Sequence, residues 1–243
     1  MKWLRTIVLF NQGDVISSSD WKDLHASYVR AIESVENPLG SGSLTLRQKR
    51  KRPDGEWDRN GVVPLRTQFL SYMLGEEGWE AESIVPLARD RDQAPLLLYP
   101  SMEQYCEPIT SDFGGFDFTA TAEQGTKVAI EWETGNISSS HRSMNKLAIA
   151  LGSGVIEVGV LIVPSRDLYE HLTDRIGNIS ELSGYLAAWA KTESGVERGL
   201  LAITVVEHDY LTDSPDFLYL DRGPDGRSKA KRKKTKPKKA KRK

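Results

Sequence analysis

Residues 126–163 read TKVAIEWETGNISSSHRSMNKLAIALGSGVIEVGVLIV, and this stretch decides the fold that the sequence predicts. From Thr126 to Thr134 apolar residues alternate with mostly charged ones, and a period of two is typical of a β-strand. Around Ser138 the spacing changes to one apolar residue every three or four positions, which indicates a helix up to Gly152. Val155–Val163 is then almost continuously apolar, as in a strand that is covered on both faces. The stretch therefore predicts strand, helix, strand.

The remaining sequence adds elements of both kinds. They are helices near residues 19–35 and 64–77, a β segment at 109–120, a helix from Asn178 and a strand at Leu200–Val206. Ser17–Asp20 supply N-cap residues for the first helix, and Pro64 lies in the first turn of the second. Glu123-Gln124-Gly125 joins two β segments as a turn. The order predicts an α/β fold in one domain, residues 1–226, with a central mixed β-sheet flanked by helices.

The charge is divided unevenly along the chain. The formal net charge of the 243 residues is -1, yet 12 of the 17 residues from 227 to 243 are Lys or Arg and none is acidic. A run of like charge repels itself and buries nothing, so we expect a disordered basic C-terminal arm over residues 227–243. A polyanion is its natural partner, although a merely solubilising tail would have the same composition.

A second basic segment lies in the N-terminal half. Arg47 and Lys49–Arg52 precede the turn sequence Pro53-Asp54-Gly55. Five basic residues in six positions can contact phosphates, and a solvated surface loop is the alternative explanation.

Composition excludes several classes of protein. The apolar runs are much shorter than the roughly 18 residues of a membrane span, so no membrane partner is expected. The single cysteine, Cys106, cannot form an internal disulfide, which suits a reducing cytoplasm. The four histidines show no paired metal-ligand spacing, and the sequence contains no G-x-S-x-G, P-loop or G-x-G-x-x-G motif. These absences argue against zincin, serine-hydrolase and nucleotide-binding chemistry.

Three carboxylates indicate another chemistry. Asp117 lies on one predicted strand, and Glu131 and Glu133 lie on one face of the next, so pairing of the strands brings all three together. Like charges at such a distance need cations, and oxygen ligands select a hard ion, with Mg²⁺ ahead of Ca²⁺ and Mn²⁺. A magnesium ion held in this way can assist phosphodiester hydrolysis. Solvent-facing strand carboxylates, or the acid and base of a glycosidase, are the alternatives for the same residues.

Residues 131–147, EWETGNISSSHRSMNKL, closely resemble the active-site strand and following helix of the BamHI-type type II restriction endonucleases, in the PD-(D/E)xK nuclease superfamily. Further matches occur in the same order along the chain. They are Asn60–Pro64, Trp79 with Glu82, Gly114-Gly115 before Asp117, and Leu172–Arg175. The resemblance covers roughly residues 20 to 229 and implies a restriction-endonuclease-like fold.

The resemblance also implies catalytic roles. Asp117 and Glu131 correspond to Mg²⁺ ligands, with help from the backbone carbonyl of Trp132, and Glu82 corresponds to a further acidic residue beside the metal. Glu133 occupies the position where most nucleases of the superfamily have Lys, as it does throughout the BamHI pattern. A carboxylate there can orient or deprotonate the attacking water, so a general base is the consistent role.

DNA recognition follows from the same resemblance. It implies that base edges in the major groove are read by Asn136, Ser138, Arg142, Asp174 and Arg175. These residue types suit the task, because Arg pairs with guanine, Asn with adenine, and Asp accepts from cytosine. Considered alone, Arg142 and Asp174 would be read as members of surface ion pairs and Asn136 as a simple helix cap. Because these positions are intact, the implied site is the palindrome GGATCC, cut after the first G of each strand.

The implied protein is a homodimeric type II restriction endonuclease that requires Mg²⁺ and acts on double-stranded DNA in the cytoplasm of a prokaryote. A two-fold dimer suits a palindromic site. The basic arm is expected to add non-specific affinity with a steep salt dependence. A cognate DNA methyltransferase is expected in the host, though not in a stable complex. The alternatives are a sequence-specific DNA-binding protein without cleavage activity and a basic-tailed scaffold that holds RNA.

Overall fold

A six-stranded mixed sheet runs through the centre of the protein in a computed structural model that describes residues 1–84, 96–105, 114–133, 135–173 and 176–221. The strands in chain order are β1 (Lys2–Gln12), β2 (Thr45–Arg47), β3 (Arg50–Lys51), β4 (Trp57–Asp58), β5 (Glu80–Ser83), β6 (Leu96–Leu97), β7 (Gln104–Tyr105), β8 (Phe116–Thr121), β9 (Lys127–Trp132), β10 (Val158–Pro164), β11 (Gly199–Glu207) and β12 (Tyr210–Thr212). The helices are α1 (Ser19–Glu33), α2 (Val63–Gly75), α3 (Ile137–Gly152), α4 (Arg166–Glu170), α5 (Ile179–Leu182) and α6 (Leu186–Ala190).

The order of the central sheet is β1-β11-β10-β9-β8-β5. β9, β10 and β11 are parallel, and antiparallel strands flank them on both sides. Three short two-stranded sheets, β12 with β2, β3 with β4 and β6 with β7, lie outside it. The predicted α/β fold with a central mixed β-sheet flanked by helices is thereby confirmed.

Each face of the sheet has its own core. On one face α1 and α2 bury Tyr28, Ile32 and Phe69 together with the alternate residues Ile130 and Ile162 of the central strands. On the other face α3, α5 and α6 pack their apolar residues against the remaining strand positions. These helix residues are Met144, Leu147, Leu151, Ile179, Leu182 and Trp189. Every residue of β10 is buried, as its continuous apolar sequence predicts.

Two parts of the sequence-based prediction need correction. β1 is an eleven-residue edge strand, antiparallel to β11, that the local sequence pattern did not reveal. The single helix expected from Asn178 is broken into α5, a 3₁₀ turn at Ser183–Tyr185, α6 and a second 3₁₀ turn at Lys191–Gly195. Gly184 lies at the first break, where its backbone freedom disfavours a continuous helix.

Several other predictions fall outside the described residues. Residues 109–113 of the predicted β segment, Cys106 and the basic arm at 227–243 all lie there. The boundary between a domain at 1–226 and an arm at 227–243 remains a prediction for the same reason. Within the described ranges, no helix has both the length and the apolar character needed to cross a membrane.

Candidate active site

Asp117, Glu131 and Glu133 line one cavity of about 280 Å³ beside the first turns of α3. The antiparallel pairing of β8 with β9, in which Phe118 lies opposite Ile130, brings Asp117 next to the end of β9. Along β9, Ile130 and Trp132 enter the core under α1 and α2, so the alternating glutamates point to the other face, toward α3. The structure therefore brings these three predicted residues to one site.

Glu131 is buried and paired with a cation. Only 7% of its surface is exposed, and its carboxylate forms an ion pair with the buried ammonium of Lys146 on α3. The Ser143 hydroxyl lies 3.4 Å from the other carboxylate oxygen. Burial raises the pKa of Glu131 to about 7, although Lys146 opposes the shift, and the charge of Asp117 adds to it. The site thus holds more negative charge than its one buried lysine neutralises.

Among the residues that the structure describes, none forms an ion pair with Glu133. Its surface is 6% exposed, and the Oε1 atom accepts a hydrogen bond of 2.5 Å from the backbone N–H of Gly135. The Ser140 hydroxyl of α3 is a further hydrogen-bonding neighbour of this carboxylate. Burial raises the pKa of Glu133 to about 7 against these two hydrogen bonds, and the charges of Glu131 and Asp117 act in the same direction as burial. A carboxylate with a pKa near neutrality is suited to accept a proton.

Arg66 on α2 connects Asp117 to Glu82. Its Nη2 atom lies 3.1 Å from Oδ1 of Asp117 and 3.3 Å from Oε1 of Glu82. The other oxygen of Asp117 accepts a 2.9 Å hydrogen bond from the backbone N–H of Trp132. Glu82 has a left-handed backbone with φ of 53°, and its side chain is 71% exposed. The structure therefore places Glu82 beside Asp117, on the open side of the site.

The Gly114-Gly115 pair makes this approach possible. A Cβ atom on Gly115 would lie 2.7 Å from the carbonyl oxygen of Glu82, closer than side chains allow. The carbonyl oxygen of Gly115 accepts a 2.7 Å hydrogen bond from Lys146. Gly115 thus joins the segment before Asp117 to both Glu82 and α3.

The residues fit a hard divalent cation, with one qualification. In the described part of the chain, no group of three or more His, Cys, Asp or Glu side chains is spaced to hold one metal ion as it stands. However, Mg²⁺ is commonly bound by one or two carboxylates, with water and substrate phosphates as further ligands. Asp117 and Glu131 supply two such carboxylates at one cavity, where Arg66 pairs with Asp117 and Lys146 pairs with Glu131.

The predicted recognition residues lie at the start of α3. Asn136 is its N-cap, and Oδ1 accepts hydrogen bonds from the N–H groups of Ser138 and Ser139 at 2.9 and 3.3 Å. The capping role considered for Asn136 is therefore present. Asn136, Ser138 and Arg142 are all exposed. Asn136 also pairs with Ile176 in an isolated β-bridge, so the helix start lies beside the segment that follows Asp174 and Arg175. Those two residues themselves lie outside the described residues.

Sequence reasoning gave no role to Arg66 or Lys146. Arg66 comes from a distant helix, and no local pattern indicates its contact with Asp117. Lys146 does have a signal, because Ser139, Arg142, Ser143 and Lys146 have the spacing i, i+3, i+4, i+7 and share one helix face. All four line the cavity with the carboxylates.

Comparison with known proteins gives consistent results. The family described as "Restriction endonuclease BamHI" matches residues 1–227. Type II restriction enzyme OkrAI of Oceanobacter kriegii is 33% identical over 232 residues, which cover 94% of this chain and 99% of that enzyme. Type II restriction enzyme BamHI of Bacillus amyloliquefaciens is 38% identical over 150 residues, which cover 61% of this chain and 60% of that enzyme.

Among solved structures, restriction endonuclease BGLII complexed with a DNA 16-mer has a similar fold. The TM-score is 0.53 at 12% identity, with 90% of this chain and 88% of that chain covered. Together with the family match over nearly the whole described chain, these similarities lead to one conclusion: the chain belongs to the BamHI family of type II restriction endonucleases.

Proposed function

We propose that the protein is a homodimeric, Mg²⁺-dependent endonuclease that cuts both strands of GGATCC after the first G and leaves 5′-phosphate and 3′-hydroxyl ends. The observation that carries this proposal is the arrangement of Asp117, Glu131 and Glu133 around one cavity, with Arg142 of α3 on its wall. Family membership and the intact match at residues 131–147 support the same function.

In the proposed mechanism, Asp117 and Glu131 would hold Mg²⁺, and the Trp132 carbonyl and Glu82 would be further oxygen donors. The ion would supply positive charge to the scissile phosphate and make a water molecule more acidic. Glu133 takes the proton from the attacking water, because a pKa near neutrality suits a general base. Lys146 would release Glu131 when the metal binds, and its hydrogen bond to the Gly115 carbonyl fixes the start of the strand that carries Asp117.

For recognition we propose that Asn136, Ser138, Arg142, Asp174 and Arg175 contact base edges of the palindrome. The exposed start of α3 presents the positive end of the helix dipole to DNA. Oδ1 of Asn136 is engaged in capping, so its amide N–H₂ group is the part left for a base or phosphate.

The partners follow from the proposed reaction. A symmetric cut at a palindrome suits a two-fold dimer, with α3 and the segment 179–190 as the proposed dimer face. His141 and Tyr185 make an edge-to-face contact there, and Tyr185 is 48% exposed. In a prokaryotic cytoplasm, survival of the host requires a methyltransferase that protects the same sequence.

One observation favours the alternative of a DNA-binding protein without cleavage activity. Both proposed metal ligands are already engaged by cations, Glu131 by Lys146 and Asp117 by Arg66. If these ion pairs did not open, DNA could bind and no metal would enter.

A plasmid with a single GGATCC site separates the two functions. Purified protein is incubated with the plasmid in Mg²⁺ and in EDTA, and the ends are sequenced. We expect linear product in Mg²⁺ alone, with both ends at the first G, and no product from a plasmid in which the site is altered. A footprint on GGATCC without scission in Mg²⁺ would identify the non-cleaving protein, and ends at another sequence would reject the proposed site.

Lys146→Met tests whether the ammonium occupies the position that the metal needs. Removing the ammonium leaves the Glu131 carboxyl buried without its partner, where it must take up a proton or remain charged at a cost, so we expect the metal-free variant to lose about 3 kcal/mol of unfolding free energy. Added Mg²⁺ should stabilise the variant more than the wild type, because in the variant the ion no longer competes with the Lys146 ammonium for Glu131. Thermal unfolding across a Mg²⁺ titration measures both effects, and Lys127→Met, at the exposed start of β9, is the control. Equal stabilisation of variant and wild type by Mg²⁺ would show that Lys146 and the metal do not compete.

A further inference from the structure

The segment Arg47–Arg59 forms a basic hairpin that the proposed active site does not use. β3 and β4 pair with Arg50 opposite Asp58 and Lys51 opposite Trp57, and the turn lies between them. The segment contains six basic and three acidic residues. We refer to residues 47–59 as the basic hairpin.

Two exposed cations of the basic hairpin take no part in its ion pairs. Arg52 pairs with Asp54 and, at 4.0 Å, with Asp58, which closes the turn. Lys49 pairs with Glu170. Arg50 and Lys51 are exposed, and neither forms an ion pair with any residue that the structure describes. Their charge is therefore directed to solvent or to a partner that carries negative charge.

An exposed tryptophan stands among these charges. Trp57 is 42% exposed, with the ammonium of Lys49 5.7 Å and the guanidinium of Arg59 6.0 Å from its ring. The Arg59 Nε atom is buried without a hydrogen-bond partner among the described residues. A large apolar ring between basic side chains is an unusual solvated surface, and it suits a nucleic-acid backbone, where sugar and phosphate alternate.

Asn60 fixes the basic hairpin beside the segment that leads to the proposed base-reading residues. This side chain is fully buried, and its Nδ2 atom donates to the carbonyl oxygens of Arg47 at 2.8 Å and His171 at 3.0 Å. Its backbone forms a bridge with Leu172, and Thr173 donates a 2.6 Å hydrogen bond to its carbonyl oxygen. The next residues in sequence are Asp174 and Arg175. The hairpin is thus anchored to His171–Thr173, directly before this pair in sequence.

Residues near the C-terminal end of the described chain also contact the basic hairpin and Asn60. Tyr219 donates a 2.8 Å hydrogen bond to the carbonyl oxygen of Gln48, and Arg47 lies 4.8 Å above its ring. Leu220 donates to Oδ1 of Asn60. The basic hairpin is therefore anchored to the last described residues of the chain, which precede the basic arm in sequence.

We infer that the basic hairpin is a second DNA-contact element, whose Arg50 and Lys51 bind phosphates of double-stranded DNA outside the recognised palindrome. Phosphate contacts fix the register and orientation of a protein on the duplex without reading sequence. The inference rests on the proposed function for the location of the palindrome. The contact itself is sequence-independent and can be measured on any duplex of sufficient length.

The test is the salt dependence of binding for Arg50→Gln/Lys51→Gln, measured by fluorescence anisotropy in EDTA so that no DNA is cut. Two GGATCC duplexes are compared, one with about 3 and one with about 10 flanking base pairs on each side, between about 50 and 200 mM salt. On the long duplex we expect the slope of log K against log salt to become less steep by about 2 per protomer. On the short duplex the slope should not change. Lys22→Gln/Lys127→Gln, which removes two exposed charges elsewhere, should leave both slopes unchanged.

Each outcome decides the inference. An unchanged slope on the long duplex overturns the inference. An equal change on both duplexes would show that Arg50 and Lys51 contact phosphates within the palindrome, and it also overturns the inference. A long duplex without GGATCC should show the same loss, since no base is read. Deletion of Lys231–Lys243 in the variant background should reduce the slope further on the long duplex if hairpin and arm act on separate phosphates. If the wild type never cuts GGATCC, the proposed function fails, whereas the slope difference on long duplexes still tests the hairpin.

Discussion

Glu131→Ala is expected to lower the rate of plasmid cleavage at least about 1,000-fold, which corresponds to about 4 kcal/mol in the activation barrier. The physical reason is the loss of one of two carboxylates, Asp117 and Glu131, that supply the negative charge for a divalent ion at the cavity. Binding to a GGATCC duplex in EDTA should be unaffected, because Glu131 is buried and lies behind the exposed start of α3. Single-turnover cleavage in Mg²⁺ and anisotropy in EDTA give the two readouts.

The control must separate lost chemistry from lost folding. Removing Glu131 leaves the Lys146 ammonium buried without its partner, which can cost about 3 to 5 kcal/mol of stability. Glu131→Gln keeps the shape of the side chain, and Glu131→Ala/Lys146→Met removes both charges. Glu157→Ala, whose ion pair with Arg198 lies at the surface, should cut normally. Cleavage at the wild-type rate by any folded Glu131 variant would refute the metal assignment.

The local sequence pattern predicted the part of the site that β9 and α3 carry. The alternation around Ile130 and Trp132 predicted that Glu131 and Glu133 share a face, and both point toward α3. Local rules suffice here, because the strand period and the helix cap at Asn136 are set by neighbouring residues. The carboxylate roles and the base-reading residues came from family resemblance, and they remain proposals.

Contacts between distant segments could not be predicted in this way. β1 pairs with β11 about two hundred positions away, and its sequence has no clear alternation, because its first residues are exposed on an edge. Arg66 reaches Asp117 from another element, and Asn60 joins three segments through one buried amide. Each depends on tertiary packing. The sequence match includes the short motif Asn60–Pro64, but the role of Asn60 in joining these segments follows only from the fold.

Glu133→Gln is expected to abolish most cleavage and, at the same time, to stabilise the metal-free protein. Loss of a general base reduces the rate by about 100-fold to 10,000-fold. The stability gain follows from the pKa of Glu133, which burial raises from 4.5 to about 7. The folded protein therefore holds this proton more tightly than the unfolded chain, and stabilisation by the proton is lost as pH rises from about 4.5 through about 7. Glutamine is neutral at every pH, so the variant does not lose stability in this way as the pH rises.

The difference in unfolding free energy between Glu133→Gln and wild type should thus be close to zero near pH 4.5 and about 3 kcal/mol in favour of the variant at pH 8. Urea unfolding in EDTA at several pH values measures it, with Glu157→Gln as the control for removal of a surface charge. Mg²⁺ should reduce the difference at pH 8, because a cation near Asp117 and Glu131 also favours the charged form of Glu133. If the variant is inactive but its stability relative to wild type does not increase with pH, burial does not raise the pKa of Glu133. A stabilised variant that still cuts would remove Glu133 as the base and leave the water to be activated by another group at the cavity.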